Sequence, residues 1–185
     1  MKWIKFLALL ILISSGIYYY QFTNKEIKKT KENQKIIEQY HKKRRVSADV
    51  LGIITLCKTR KSSVIKRGNV DDIISKNQVA SLNQQLNVKE DIYLAGHSIP
   101  SVFGDLHQYQ VGNQLLLTIH HKKYYYDIYK IEKILIDDFT PFLQIKQYPR
   151  LLLMTCTNDS NVRLLVYAKL TNVWQLMIDE WIETR

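Results

Sequence analysis

The sequence predicts a mainly β fold, a closed or nearly closed barrel, from three observations. Short apolar or β-branched runs recur across residues 51–170. Polar or Gly-containing turns such as "HHKK" and "TNDSN" separate them, and no Pro/Gly-rich linker divides the stretch. The chain has 185 residues, 46% hydrophobic and 24% charged, which suits one modest domain plus an additional segment.

That segment is N-terminal. "MKWIKFLALLILISSGIYYYQF" carries Lys2 and Lys5 and then runs without charge from Phe6 to Phe22. As a helix these 17 residues would span about 25 Å, near the short limit for crossing a bilayer core. The small residues Ser14 and Gly16 would also suit a cleaved signal peptide. The run continuing through "IYYY", with tyrosines suited to an interface, favours a membrane anchor over residues 1–22. Residues 23–45 follow as a basic stalk, partly helical and solvated, with Ile27, Ile36, Ile37 and Tyr40 as a weak stripe. Its nine Lys/Arg against three Asp/Glu would alone place it in the cytoplasm, or draw it to anionic lipid or wall polymer, so charge leaves the orientation open.

Residues 46–185 form the folded domain. Its expected strands are "LGIITL", "DIYLAG", "QLLLTIH", "KYYYDIYKIEKILI", "RLLLMT" and "RLLVYAKL". Two stretches have helical spacing instead: "NVDDIISKNQVASLNQQLN", and "TNVWQLMIDEWIE" with Val173, Met177 and Trp181 four apart. Charge excludes one function class. The first 45 residues supply +8 of the net +10, leaving 16 Lys/Arg against 14 Asp/Glu in the domain. A nearly neutral domain with no basic patch interleaved with aromatics is not a nucleic-acid binder.

Two cysteines occur. Cys57, inside "GIITLCKT", reads as a small strand residue, with a disulfide or second reactive thiol as alternatives. Cys156 ends "RLLLMTC" before a polar loop, where a substrate could reach the sulfur. Arg163 opens the next apolar run seven residues later, so a hairpin would bring the two together. An arginine cannot act as a base, but its fixed fork of donors can hold a carbonyl or a developing oxyanion. A thiol nucleophile also needs an acid/base partner. Of five histidines, His41 lies in the stalk, His120 and His121 in a charged turn, and His107 at a turn or helix end. His97 ends "DIYLAGH" directly after a glycine and before a loop, where it reads as a base or as a histidine satisfied by local structure.

Taken together, Ala95-Gly96-His97, then Phe103, Leu106 and Gly112, then "LLLMTC" over 151–156, then Arg163-Leu164-Leu165-Val166 resemble the sortases, cysteine transpeptidases of Gram-positive cell surfaces. The resemblance covers about residues 51–170, and the order His, Cys, Arg is the reverse of papain-like peptidases, where the cysteine comes first. It implies an eight-stranded β-barrel with short helices. It implies catalytic His97, Cys156 and Arg163 with Thr155 in support, and no cofactor. The implied partners are surface proteins bearing a Leu-Pro-x-Thr-Gly-like sorting signal and an acceptor amine from a peptidoglycan precursor or a pilin lysine. The implied location is the cell membrane, with the catalytic domain outside.

Three departures leave the subclass open. The family's usual first-strand proline is replaced by Leu56-Cys57, Leu152 stands for a usual threonine, and the loop between Cys156 and Arg163 is short. The acidic pairs Asp71/Asp72 and Asp137/Asp138 read as solvated turns rather than a calcium site, and no metal is expected. A non-catalytic or degenerate membrane-anchored barrel binding a surface partner is the competing reading.

Overall fold

A computed structural model of the protein describes residues 2–144 and 148–171, with the backbone alone for residues 2 and 4–10. Eight strands close into one barrel in the order β1-β2-β3-β4-β7-β8-β6-β5. They are β1 (Val50–Leu56), β2 (Lys61–Lys66), β3 (Val79–Ser81), β4 (Ile92–Ala95), β5 (Gln114–Ile119), β6 (Lys122–Leu135), β7 (Arg150–Cys156) and β8 (Val162–Leu170). Helix α1 (Lys2–His41) precedes the barrel, α2 (Val70–Ser75) and α3 (Thr140–Leu143) interrupt it, and a 3-10 helix covers Gly104–Gln108. Neighbouring strands run antiparallel except β2 with β3 and β4 with β7.

The six apolar runs became β1 and β4 to β8. The expected helix over 69–87 is corrected by the structure. Asn69 caps α2 by accepting the Asp72 amide at 3.0 Å, but the helix stops at Ser75 and Asn77 takes a left-handed φ of 58°. Val79–Ser81 then form β3, buried throughout and paired with β2 and β4. Pairing on both sides of a buried segment outweighs local helix propensity. β2, "KSSVIK", also lacked the strong apolar pattern of the other strands. The expected helix "TNVWQLMIDEWIE" lies outside the described residues apart from Thr171.

Side chains from all strands fill the barrel, among them Ile54, Ile65, Leu94, Leu117, Leu153 and Val166. Several strands are apolar on their outer faces too. Leu152, Leu165 and Tyr167 pack outside β7 and β8 under Tyr93, Tyr129 and Phe142, which explains the unbroken "LLL" of β7. A strand covered on both faces need not alternate. Gly52 is dictated by proximity: a Cβ there would lie 2.5 Å from the Thr118 carbonyl oxygen of β5.

Ile53 and Val64, on the outside of β1 and β2, are covered by α1 through buried Tyr40 with Ile36 and Ile37 beside it. Residues 23–41 are helical, and of the expected stripe Ile36, Ile37 and Tyr40 are packed rather than solvated while Ile27 stays exposed. Farther toward the N-terminus, the Asn33 amide donates to the Lys76 and Asn77 carbonyls at 3.0 Å each, and Gln78 donates to the Asn33 side-chain oxygen at 2.7 Å. Among the described residues no helix is long and apolar enough to cross a membrane. Of the apolar run expected to anchor the chain, residues 6–10 have no described side chains and residues 11–22 are exposed.

The start of the β4–β7 pair is clamped by charge. Arg150 is 1% exposed, and Asp91 accepts its amide at 2.7 Å and its Nε at 2.8 Å while also pairing with Nη2. Its Nη1 is buried without a partner among the described residues. Removing the carboxylate strands a buried cation. Asp91→Ala is expected to lower stability by about 3–5 kcal/mol, read as a fall in the urea midpoint.

Candidate functional site

The expected site residues gather at one end of the barrel because of strand register. β4 and β7 run parallel, Ile92 beside Leu151 through Ala95 beside Met154. The ladder continues past β4, the Gly96 amide donating to the Met154 carbonyl at 3.1 Å and the Thr155 hydroxyl donating to the Gly96 carbonyl at 2.8 Å. One residue further on each chain stand His97 and Cys156. β8 returns antiparallel and pairs Arg163 directly with Cys156. Cys156 is exposed, His97 and Arg163 are half-buried, and Thr155 is buried at 3% exposure.

The backbone around His97 is held by close packing. A Cβ on Gly96 would lie 2.8 Å from the Phe103 ring and 3.0 Å from Val102, so only glycine fits beneath the histidine. The Phe103 amide donates to the His97 carbonyl at 3.0 Å, and the Gly104 amide to Ile99 at 2.8 Å. Phe103 and Leu106 are fully buried, and Gly112 takes a φ of 89°, so these motif positions fix the loop after His97 rather than supply chemistry.

The charged groups are arranged as follows. Arg163 donates through Nη1 to the Ser160 carbonyl at 2.7 Å and the Val162 carbonyl at 3.2 Å, so its fork braces the β7–β8 loop. Burial pushes the Cys57 thiol up, and its sulfur lies 3.9 Å from the Thr55 carbonyl. On α1, hydrogen bonds from Lys29 and then Asn77, each at 2.6 Å, hold the Glu26 carboxyl below its ordinary value, and the charge of His97 acts in the same direction. In the β3–β4 register Ala80 lies opposite Ala95, so the chain entering β3 and the chain leaving β4 lie at the same end of the barrel.

A cleft of about 480 Å³ opens at Cys156. Thr155 and Cys156 form part of its wall with Ser98, Phe103, His107 and Lys133, whereas His97 and Arg163 stand outside its lining. Sequence reasoning passed over Lys133, a single cation in the long strand β6 with no motif to mark it, and saw His107 only as a turn residue. Among the described residues no group of three or more His, Cys, Asp or Glu could hold a metal. Asp71 and Asp72 occupy the first turn of α2, and Asp138 accepts the Thr140 amide at 3.0 Å.

Comparison with known proteins bears on what this barrel is. Solved structures with the same fold include sortase C1 of Streptococcus agalactiae, with 24% identity over 68% of this chain and 69% of that one at a TM-score of 0.60. A lid mutant of Corynebacterium diphtheriae sortase A has 20% identity over 70% and 74% at 0.61. Streptococcus pneumoniae sortase C has 20% over 69% and 71% at 0.60. No curated relative matches the chain. The sortase domain model matches residues 58–171, more than half of the chain, which therefore belongs to the sortase family.

Proposed function

We propose that the protein is a sortase-type cysteine transpeptidase that cuts a Leu-Pro-x-Thr-Gly-like sorting signal between Thr and Gly. The observation that carries this reading is the register of three strands: parallel β4 and β7 bring His97 level with Cys156, and β8 brings Arg163 across from it. In the first step the Cys156 sulfur attacks the threonine carbonyl carbon, and the negative charge that develops on its oxygen is met by the Arg163 guanidinium. The C–N bond then breaks, and the departing glycine amine takes a proton from His97. In the second step an incoming amine attacks the thioester and gives its proton to His97, and Cys156 leaves as thiolate. The acceptor is an amine of a peptidoglycan precursor or a pilin lysine. The enzyme works at the outer face of the cell membrane, held by residues 1–22, which we read as an anchor. Thr155 is a positioning residue, its hydroxyl tying β7 to the peptide that carries His97.

A second reading, a degenerate site on a binding barrel, is favoured by one observation: Arg163 is engaged with loop carbonyls. Mass spectrometry with sorting-signal peptides and a small amine separates the two. Turnover requires a thioacyl adduct on Cys156 that is lost in Cys156→Ala. An alkylating reagent that reaches Cys156 while no peptide acylates it would favour the degenerate site.

Three outcomes are expected. At neutral pH iodoacetamide should modify exposed Cys156 ahead of Cys57, whose raised pKa leaves less thiolate, as read by peptide mapping over time. Arg163→Ala should lower kcat/KM by about 10²–10³-fold, with incomplete recovery in Arg163→Lys, which lacks the planar fork. Thr155→Val should cost about 1 kcal/mol of stability and lower kcat with little change in KM, measured by denaturation and steady-state kinetics.

A further inference from the structure

We propose that α1 sets the catalytic mouth against the lipid headgroups, so that the end of the barrel bearing Cys156 faces the bilayer. This rests on the anchor reading of residues 1–22 and extends it from tethering to orientation. Three observations support it.

First, α1 is continuous from Lys2 to His41 and lies along the barrel with a definite direction. Tyr40 packs on Ile53 and Val64 and contacts the His121 ring at 5.0 Å, at the end away from Cys156. Asn33 is bonded to the segment leading into β3, and Glu26 is bonded to Asn77 and lies in the field of His97. The N-terminal half of α1 therefore leaves the barrel at the catalytic end.

Second, residues 11–22 of that half are exposed on every side and are apolar apart from Ser14, Ser15, Gly16 and Gln21. Ile11, Leu12, Ile17, Tyr19, Tyr20 and Phe22 are exposed, and a helix apolar on every side belongs in lipid or a protein core. Phe22, the last of the run, precedes Glu26 by four residues, about 6 Å of helix, which is close to the depth of one headgroup layer. Lys25, Lys28 and Lys31 are exposed just beyond it, where anionic headgroups would attract them.

Third, the opposite rim of the same end exposes three large apolar side chains, set around Asp137 and Asp138. Leu135 pairs with Val162, the Ile136 amide donates to the Asn161 carbonyl at 2.9 Å, and Leu135, Ile136 and Phe139 are all exposed. A mouth at this height meets substrates that are themselves held in the membrane, and water-soluble peptides would reach it only around its edge.

The test uses the full chain in vesicles of phosphatidylcholine and phosphatidylglycerol doped with a headgroup-nitroxide lipid. A fluorophore is attached at Cys156 in a Cys57→Ala background, or at Tyr19→Cys or Ser47→Cys in a Cys57→Ala, Cys156→Ala background. Ser47 is exposed and lies beyond the far end of α1. Quenching at positions 19 and 156, with none at 47, is the expected result. Quenching at 19 with none at 156 overturns the proposal and leaves the anchor standing. Absence of quenching at 19 removes the anchor reading and the proposal with it. A short Gly/Ser insertion after Phe22 in the otherwise unchanged enzyme should lower turnover of a vesicle-tethered sorting peptide about tenfold and raise turnover of the free peptide, whose path to the mouth it opens. Equal effects on both substrates, or on neither, count against the proposal.

Discussion

The parallel pairing of β4 with β7 is the constraint on which the rest of the molecule depends. Parallel neighbours cannot be joined by a tight hairpin, so the chain must travel from Ala95 to Arg150 through β5, β6 and α3 before the partner strand is in place. That excursion builds the far wall of the barrel. It also leaves both strand ends at the same rim, so two groups distant in sequence emerge side by side from adjacent strands. Buried polar contacts fix the pairing at its two ends, Asp91 with Arg150 at the start and Thr155 with the Gly96 carbonyl at the finish. A slip by one residue would break both contacts and turn the inward side chains of β7 outward.

The barrel's outer faces account for its asymmetry. β1 and β2 are closed off by α1, while β7 and β8 are covered by Tyr129 and Phe142. The helix that shields one side of the sheet also ties down the segment entering β3, through Glu26 to Asn77 and Asn33 to the Lys76 and Asn77 carbonyls. The β7–β8 loop is short and braced internally by Arg163 and by Asp159, which accepts the Asn161 amide at 2.9 Å. The cleft beside Cys156 is thus bounded by a compact loop on one side and by the tightly wound segment after His97 on the other.

Much of this was legible in the sequence, for identifiable reasons. Strands with long apolar runs announced themselves, and the placement of Cys156 and Arg163 at facing ends of two runs followed from hairpin geometry alone. The resemblance to sortases gave His97 its place, which composition could not. β2 and β3 were hidden because Lys61 and Lys66 bound the first and the second is only three residues long, embedded in a stretch with good helix formers. Their identity depends on neighbours supplied from elsewhere in the chain. The packed character of residues 36–40 was hidden for the same reason: Ile36, Ile37 and Tyr40 look like a weak stripe until the outer faces of Ile53 and Val64 are there to receive them. Lys133 at the cleft carried no signal, since one lysine among several in β6 is distinguished only by where the barrel turns it.

The constant offset between β4 and β7 has a consequence for how such chains can vary. His97 and Cys156 are 59 positions apart for the same reason that Ile92 and Leu151 are, and that number is only the length of the intervening excursion. What the site needs is a fixed overhang past the last paired residues, two positions on each strand. Loops between residues 98 and 149 can therefore lengthen or shorten at modest cost in closure entropy while His97 and Cys156 stay level. A single residue gained or lost between Ala95 and His97, or between Met154 and Cys156, would separate the two groups at once. Family members of very different length can share one site on these terms, and the strand ends, rather than the spacing along the chain, are the coordinates in which their sites align.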